Sequence, residues 1–440
     1  MKWKIFGGGN MSKNEFKISL SQLILALSDA VDMISPVLNN HHKQVTYIAY
    51  NIAKQIKLPS EKMSDLIIAS LIHDIGALSL QDRVDVMAFE ENNPYYHTIN
   101  GYILLHDLPN LERAAEIVKY HHVPWQDGGG KSFMGDTVHI ESHILYLADR
   151  IAVSINRKDN ILKQTDKIIK RIKSQSNLKF HPDLVKAFED ISKKDAFWLD
   201  IVSFCIDKKL NIIFNKYDQE VNLEELSEIT AVFARIIDFR SRFTSVHSSG
   251  VTEVAETIAR LLKWSEEDCI KMRIAGYLHD IGKLMVPTEI LEKPSSLTKE
   301  EYNIVREHTY HGYYLLDNID GLEEINEYAS FHHERLDGTG YPFRIKGEDL
   351  KEGSRIMAVA DVFTAITEDR PYRKGMNEKN ALRVLEQMGK NLSLDSDLVQ
   401  IVKENFDIIN RKRINAQKRA AEEYEEFTKK LEKVKKKYTA

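Results

Sequence analysis

The sequence predicts an all-α protein built from two tandem helical bundles, and three observations carry that prediction. The chain repeats itself: VTYIAYNIAKQIKLPSEKMSDLIIASLIHDIGAL (45–78) lies over VTEVAETIARLLKWSEEDCIKMRIAGYLHDIGKL (251–284) without a gap, at an offset of 206 residues. A repeat of that length marks a duplicated structural unit. Inside the matched segments apolar residues recur every three or four positions, as in Ile48, Ile52 and Ile56 or Val254, Ile258, Leu261 and Leu262, which is the period of an amphipathic helix. The period-two alternation of strands is scarce, and turn-rich sequence gathers around 127–136 and 337–353.

With 440 residues and 43% hydrophobic content the chain can bury at least two cores. In order along the chain, the expectation is an N-terminal extension over 1–25, a first bundle over 26–198, a connecting segment over 199–226, a second bundle over 227–410 and a charged helix over 411–440. One helix start is explicit. Thr298 followed by Glu301 is a capping box, in which hydroxyl and carboxylate satisfy backbone donors reciprocally. The tail is dense in Lys and Glu, with Tyr424, Phe427, Leu431 and Val434 three and four apart; such a stripe rests on its own domain or forms a homodimer seam.

Composition also excludes partners. A net charge of −5 gives no broad positive field for a polymeric nucleic acid, although a small anionic ligand stays open. No run of about 18 apolar residues suggests a membrane span. Cys205 and Cys269 sit in apolar stretches and make no disulfide framework, so the expected setting is the cytoplasm.

The repeat preserves a chemically selective set. His41 lies over His247 and His73–Asp74 over His279–Asp280; His97 then lies over His308, His121–His122 over His332–His333, and Asp149 over Asp361. Packing alone reproduces apolar residues. A lone buried histidine is usually a hydrogen-bonded core residue, but five histidines and two aspartates recurring in order read as metal ligands. Imidazoles and carboxylates together suit iron, manganese, nickel or zinc. Neighbours on a helix diverge by about 100°, so a His-Asp pair can offer nitrogen to one ion and a carboxylate to two.

The second half carries YLHDIGKL, VPTEILEKPSSLTKEEYNIVREHTYHG, HHERLDGTGYP and VADVFTAITEDRPYRK in that order. On these motifs residues 230–405 resemble the HD-GYP branch of the HD-domain metal-dependent phosphohydrolases, while 30–190 resemble the broader HD superfamily and lack GYP. The resemblance implies a helical bundle around a binuclear centre. It implies hydrolysis of 3′,3′-cyclic dinucleotides, cyclic di-GMP or the mixed guanine–adenine compound, to linear dinucleotide through a metal-activated hydroxide. It assigns His247, His279, Asp280, His308, His332, His333 and Asp361 to two divalent ions, with Asp280 as bridge. Iron or manganese is the first expectation; nickel, zinc and magnesium are alternatives.

The same resemblance gives Asp280 and Lys283 catalytic roles, and places Lys283, Gly340, Tyr341, Arg370 and Arg373 on substrate. The residues agree with it: guanidiniums make bidentate contacts with phosphate, and the glycines of DGTGYP permit positive φ. Some family members hold a third ion through a glutamate four residues before the first histidine. Phe243 stands there, which points to two ions.

The first half keeps His41, His73, Asp74, His97, His121, His122 and Asp149 as a candidate second metal site. Ala77 replaces Lys283, HHVPWQDGGGKSFMG replaces HHERLDGTGYP, and NRKDN stands at RPYR. The expectation is a metal-bearing sensor or a phosphohydrolase for another nucleotide, with a packing-only duplicate as the alternative. Trp125 lines that pocket or closes it. His139 and His143 have Lys351 and Arg355 as counterparts, and His311 matches Asn100, so none is read as a ligand. Two readings compete for the whole protein: a phosphohydrolase of linear nucleotides, and a signalling adaptor that binds cyclic dinucleotide without turnover.

Overall fold

The structure, a computed structural model, describes residues 16–32, 40–77, 95–238, 246–293, 295–369 and 373–439, with side chains of the last helix described to 433. In the first half the helices are α1 Leu20–Asp32, α2 His41–Gln55, α3 Ser60–Ile72, α4 Tyr95–Leu105, α5 Glu112–Lys119, α6 Ile140–Val153, α7 Thr165–Lys173, α8 Pro182–Ile191, α9 Asp195–Ile201 and α10 Ile206–Tyr217. In the second they are α11 Leu223–Asp238, α12 His247–Leu261, α13 Glu266–Leu278, α14 Thr288–Leu291, α15 Lys299–Leu316, α16 Glu323–Ser330, α17 Glu352–Thr367, α18 Glu378–Lys390, α19 Ser396–Glu404 and α20 Phe406–Thr439. Strand is confined, among the described residues, to two-residue antiparallel pairs, Ile18–Ser19 with Glu220–Val221 and Ser132–Phe133 with Asp136–Thr137. The architecture is all-α, as the apolar spacing requires.

The duplication is visible as order: α1 to α6 recur as α11, α12, α13, α15, α16 and α17. It also reaches further back than the motif-bearing segment, because Leu20–Asp32 lies over Leu226–Asp238 at the same 206-residue offset. Both copies end on a buried aspartate, Asp32 and Asp238. Helix α1 runs across residue 25, where the extension was expected to end. Leu20, Leu23, Ile24, Leu27, Ala30 and Val31 form one buried apolar stripe, and Ser21, Ala26, Ser28 and Asp32 beside it are buried too. A buried face that wide needs more than one neighbour; α1 packs against α3 of its own half and against α15 and the 281–285 turn of the other.

The two halves therefore share one contiguous apolar core. Polar bonds reinforce the seam: Gln22 Nε2 donates to Asp320 Oδ2 (3.2 Å) and Asn110 Nδ2 to Glu225 Oε1 of α11 (3.2 Å). Within 199–226, α10 buries Leu210, Ile213 and Phe214 and is a packed element. The capping box at Thr298 forms, with Glu301 N donating to Thr298 Oγ1 at 3.2 Å. Helix α20 starts at Phe406, lies along α12 and touches α4, with Phe427 of the stripe packed on the shared core; the side chain of Val434 lies outside the described residues. Cys269 is buried, Cys205 is half-buried, and both are free. No described helix is long and apolar enough to cross a membrane.

The turn after each His-Asp pair has room only for glycine. A Cβ at Gly282 would run into the carbonyl of His308, and one at Gly76 into the carbonyl of His97. The close approach seats the His-Asp turn on the helix that carries the next histidine. Gly282→Ala is therefore expected to lower stability by about 2–3 kcal/mol and to shift His308, measured as a lower denaturant midpoint with reduced metal content.

Candidate metal centres

In the second half, five elements deliver seven side chains to one place. The first turn of α12 supplies His247, the end of α13 supplies His279 and Asp280, mid-α15 supplies His308, the turn after α16 supplies His332 and His333, and mid-α17 supplies Asp361. Ligand-type atoms of His247, His279 and Asp280 lie within 4.8 Å of one another, as do those of His308, His332 and His333. Asp280 links the two groups: Oδ2 is 3.1 Å from His279 Nε2 and Oδ1 is 3.4 Å from His308 Nε2. Asp361 Oδ1 lies 3.2 Å from His247 Nε2, and its Oδ2 lies 3.8 Å from His333 Nδ1.

Backbone geometry sets the tautomers. The Nδ1 atoms of His279, His308 and His332 lie 2.7, 2.5 and 2.6 Å from the carbonyls of Gly276, Val305 and Ala329, each three residues earlier. A carbonyl only accepts, so Nδ1 carries the proton and the Nε2 lone pair faces the cluster, the arrangement of an oriented metal ligand. Burial lowers His308 to about 3 and His333 to about 4 and holds His332 well below its usual value, so these rings are neutral at pH 7. Burial opposes the charge of Asp280, but His279 and Lys283 outweigh it and keep the carboxyl well below the usual range. His279 Nε2 and Asp280 Oδ1 make no hydrogen bond of good geometry although both are buried. A buried polar atom left so costs about 1–3 kcal/mol; a divalent cation has the chemistry to satisfy both.

Glu368 is a partner that the motifs did not disclose. Its carboxylate is 3.1 Å from His247 Nδ1, and Gln417 Nε2 of α20 donates to it at 3.0 Å. Burial disfavours the charged ring of His247, yet Glu368 and Asp361 outweigh it and push the imidazole up to about 10. The available signal was spacing: Glu368 follows Asp361 by seven residues, two helical turns along one face.

The centre opens on one side. His333 is 28% exposed, Lys283 19% and Asp361 13%, against 1% for His279 and His308. Lys283 Nζ sits 2.5 Å from Asp280 Oδ2, one turn on. The Tyr341 ring lies 4.9 Å from that of His333 and borders the opening. Its loop is fastened by Glu334, also unread in the sequence, whose buried carboxylate accepts from the N–H groups of Phe343 (2.7 Å), Arg344 (3.1 Å) and Ile345 (3.1 Å). Positive φ is needed at Gly338 (73°). Gly340 is required for another reason: a Cβ there would strike the backbone of Glu334 and Arg335. Arg373 is exposed and its guanidinium donates to the Ala365 carbonyl; Arg370 lies outside the described residues.

The first half brings its seven residues together in the same pattern. Asp74 Oδ2 is 3.4 Å from His73 Nε2 and 3.8 Å from His41 Nε2, while Oδ1 is 3.5 Å from His97 Nε2 and 4.0 Å from His121 Nε2. Asp149 Oδ1 is 3.3 Å from His41 Nε2. His97, His121 and His122 form the second triad. His41 Nε2, His73 Nε2, His121 Nε2, Asp74 Oδ1 and Asp149 Oδ1 are buried without a hydrogen bond. Two differences stand out. Arg150, buried beside the centre, donates to Asp149 Oδ2 at 2.6 and 3.0 Å, where the second half has Val362. Ala77, buried, offers nothing in place of Lys283. An outer contact joins His42 Nδ1 to Asp32 Oδ1 at 2.5 Å. Trp125 packs on His181 (4.0 Å) and His143 (5.3 Å), His143 Nε2 lies 3.1 Å from the Gly130 carbonyl, and His139 turns to Arg113.

Fold and centres together define a duplicated helical domain with a histidine–aspartate metal-type site in each copy. The sequence model of the HD domain family matches residues 26–176 and 231–398, more than half of the chain, and the protein belongs to that family. Its relatives include the 3′3′-cGAMP-specific phosphodiesterase 1 of Vibrio cholerae, 29% identical across 92% of this chain and 96% of the relative, and phosphodiesterase 3 of the same name, 25% identical across 91% and 97%. A cyclic di-GMP phosphodiesterase of Pseudomonas aeruginosa is 42% identical, over 32% of this chain and 34% of that protein. A crystal structure of a cyclic GMP-AMP specific phosphodiesterase of V. cholerae superposes with a TM-score of 0.63 at 23% identity, covering 89% of this chain and 98% of that one, which establishes the shared fold.

Two outcomes follow for these side chains. Adding Mn²⁺ to metal-free protein at pH 8 should release about one proton from His247, since ligation at Nε2 displaces it; Glu368→Gln should diminish that release in a weakly buffered titration. Glu334→Ala, which strips three backbone donors of their acceptor, should cost about 2 kcal/mol in urea unfolding.

Proposed function

We propose that the second half hydrolyses 3′,3′-cyclic dinucleotides, cyclic di-GMP or the mixed guanine–adenine compound, to linear dinucleotide. One observation carries the reading: Asp280 stands with one oxygen toward His279 and the other toward His308 of the His308–His332–His333 triad, with Lys283 against it and an opening beside Tyr341. His247, His279 and Asp361 would hold one divalent ion, His308, His332 and His333 the other, and Asp280 would span both. Iron or manganese fits this mixed donor set first. When bound, such a pair supplies Lewis acidity and an acidified water for displacement at phosphorus. Lys283 meets the phosphate charge, Tyr341 walls the pocket, and the oriented Nε2 atoms keep the site rigid. The relatives named above support the substrate class, and those spanning the chain also contain its first half.

The first half, on this reading, holds metal but does not turn over cyclic dinucleotide. The absence of a lysine at Ala77 and the engagement of Asp149 by Arg150 support that division. The domain borders at 26–198 and 227–410 belong to the same proposal, with α1 and α10 as shared packing. Two unpaired cysteines agree with work in the cytoplasm.

Wild-type protein loaded with Fe²⁺ or Mn²⁺ should convert the cyclic compounds to linear dinucleotide by chromatographic assay. Asp280→Ala should fall by at least about 100-fold. Asp74→Ala should keep the turnover and lose part of the bound metal. Equal turnover by Asp280→Ala would place the chemistry elsewhere, and unchanged metal in Asp74→Ala would remove the first centre.

A further inference from the structure

Helix α15 brings a second functional group to the opening. Two residues before His308 it carries Arg306, whose guanidinium carbon lies 4.6 Å from the centroid of the Tyr341 ring and 6.0 Å from that of Tyr302. Tyr341 is in turn 4.9 Å from the His333 ring, so ligand, tyrosine and arginine form a short row leading out of the metal centre. Arg306 is half-buried, its Nε is fully buried with no hydrogen-bond partner, and among the described residues it has no ion pair. Arg344, in the loop that carries Tyr341, is exposed and unlike Arg306 is not held over the Tyr341 ring, while Arg373 donates to the Ala365 carbonyl.

A guanidinium stacked on an aromatic ring is pre-organised, and its N–H edge stays available for two parallel bonds to an oxyanion. A cyclic dinucleotide carries two phosphodiester anions, and only one can lie at the metal ligands during a cleavage. Lys283, against Asp280, serves the phosphate at that centre. The second anion therefore needs another cation near the rim, and Arg306 is a positive group there without an acid partner.

We infer that Arg306 binds the phosphodiester that is not being cleaved, and so selects substrates with two phosphodiesters over those with one. The inference rests on the proposed cyclic-dinucleotide reading and names the residue that recognises the far half of the ring. Tyr341 and Tyr302 hold the guanidinium plane in place; the metal side does not depend on it.

The test uses full-length, metal-loaded protein as wild type, Arg306→Gln and Arg306→Lys, with a cyclic dinucleotide and with bis(p-nitrophenyl) phosphate, which has a single phosphodiester. Arg306→Gln should raise KM for the cyclic dinucleotide about 10-fold or more, leave kcat within about twofold, and leave kcat/KM for the small ester within about twofold, as expected for loss of a bidentate anion contact. Arg306→Lys, which keeps charge without the fork, should fall between, and metal content should equal wild type in both. Parallel loss on both substrates in the two variants, or an unchanged KM for the cyclic dinucleotide, overturns the inference and leaves the functional reading standing. A wild type that hydrolyses the small ester but no cyclic dinucleotide removes the functional reading, and the inference with it.

Discussion

Everything in each half is arranged around one carboxylate held among imidazoles away from water. An isolated carboxylate in a protein interior is expensive: burial raises Asp280 and Asp74, the charges of His279 and Lys283 outweigh it at Asp280, those of His73 and His97 outweigh it at Asp74, and the inward Nε2 lone pairs of the neutral rings leave a place that a cation would fill. The demand for two sets of donors on opposite sides explains why five separate elements must converge. It also explains why the turn after the aspartate must pack so closely on the next helix that only glycine fits. The fold serves this constraint first, and the hydrophobic seam through α1 holds the two copies of it against one another.

Identical ligand sets do not make identical sites. In the second half Asp361 is open on one side and its second oxygen faces His333; in the first, the second oxygen of Asp149 is taken by a buried arginine. A guanidinium at that place competes with any cation for the same oxygen and adds positive charge where a phosphate and its counter-ions would otherwise balance. The ligands alone thus describe a capacity to bind metal. The residues that differ, Lys283 against Ala77 and Val362 against Arg150, divide the two halves chemically.

How much of this was legible in the sequence depends on the kind of signal. The set of polar residues that converges in each half was, because a duplicated chain shows which polar side chains survive in register, and packing has no reason to preserve histidines. The all-α class was too, through the three- and four-residue spacing. Glu368, Glu334 and Arg306 were missed because each works through a neighbour brought close by folding: His247, the backbone after Tyr341, and the Tyr341 ring. Gly340 carries a task that the motif did not disclose, which is to let two backbones touch. Helix α1 runs from Leu20 across residue 25, and the apolar stripe in its sequence says that it packs but not against what. Only the structure could show that its second neighbour is the other half.

The central claim is that Asp280 lies between two cations. Anomalous diffraction from manganese-loaded crystals tests it directly: two peaks about 3.5–4 Å apart, one beside His247, His279 and Asp361 and the other beside His308, His332 and His333, are predicted. A single peak, or peaks remote from Asp280, would contradict the account.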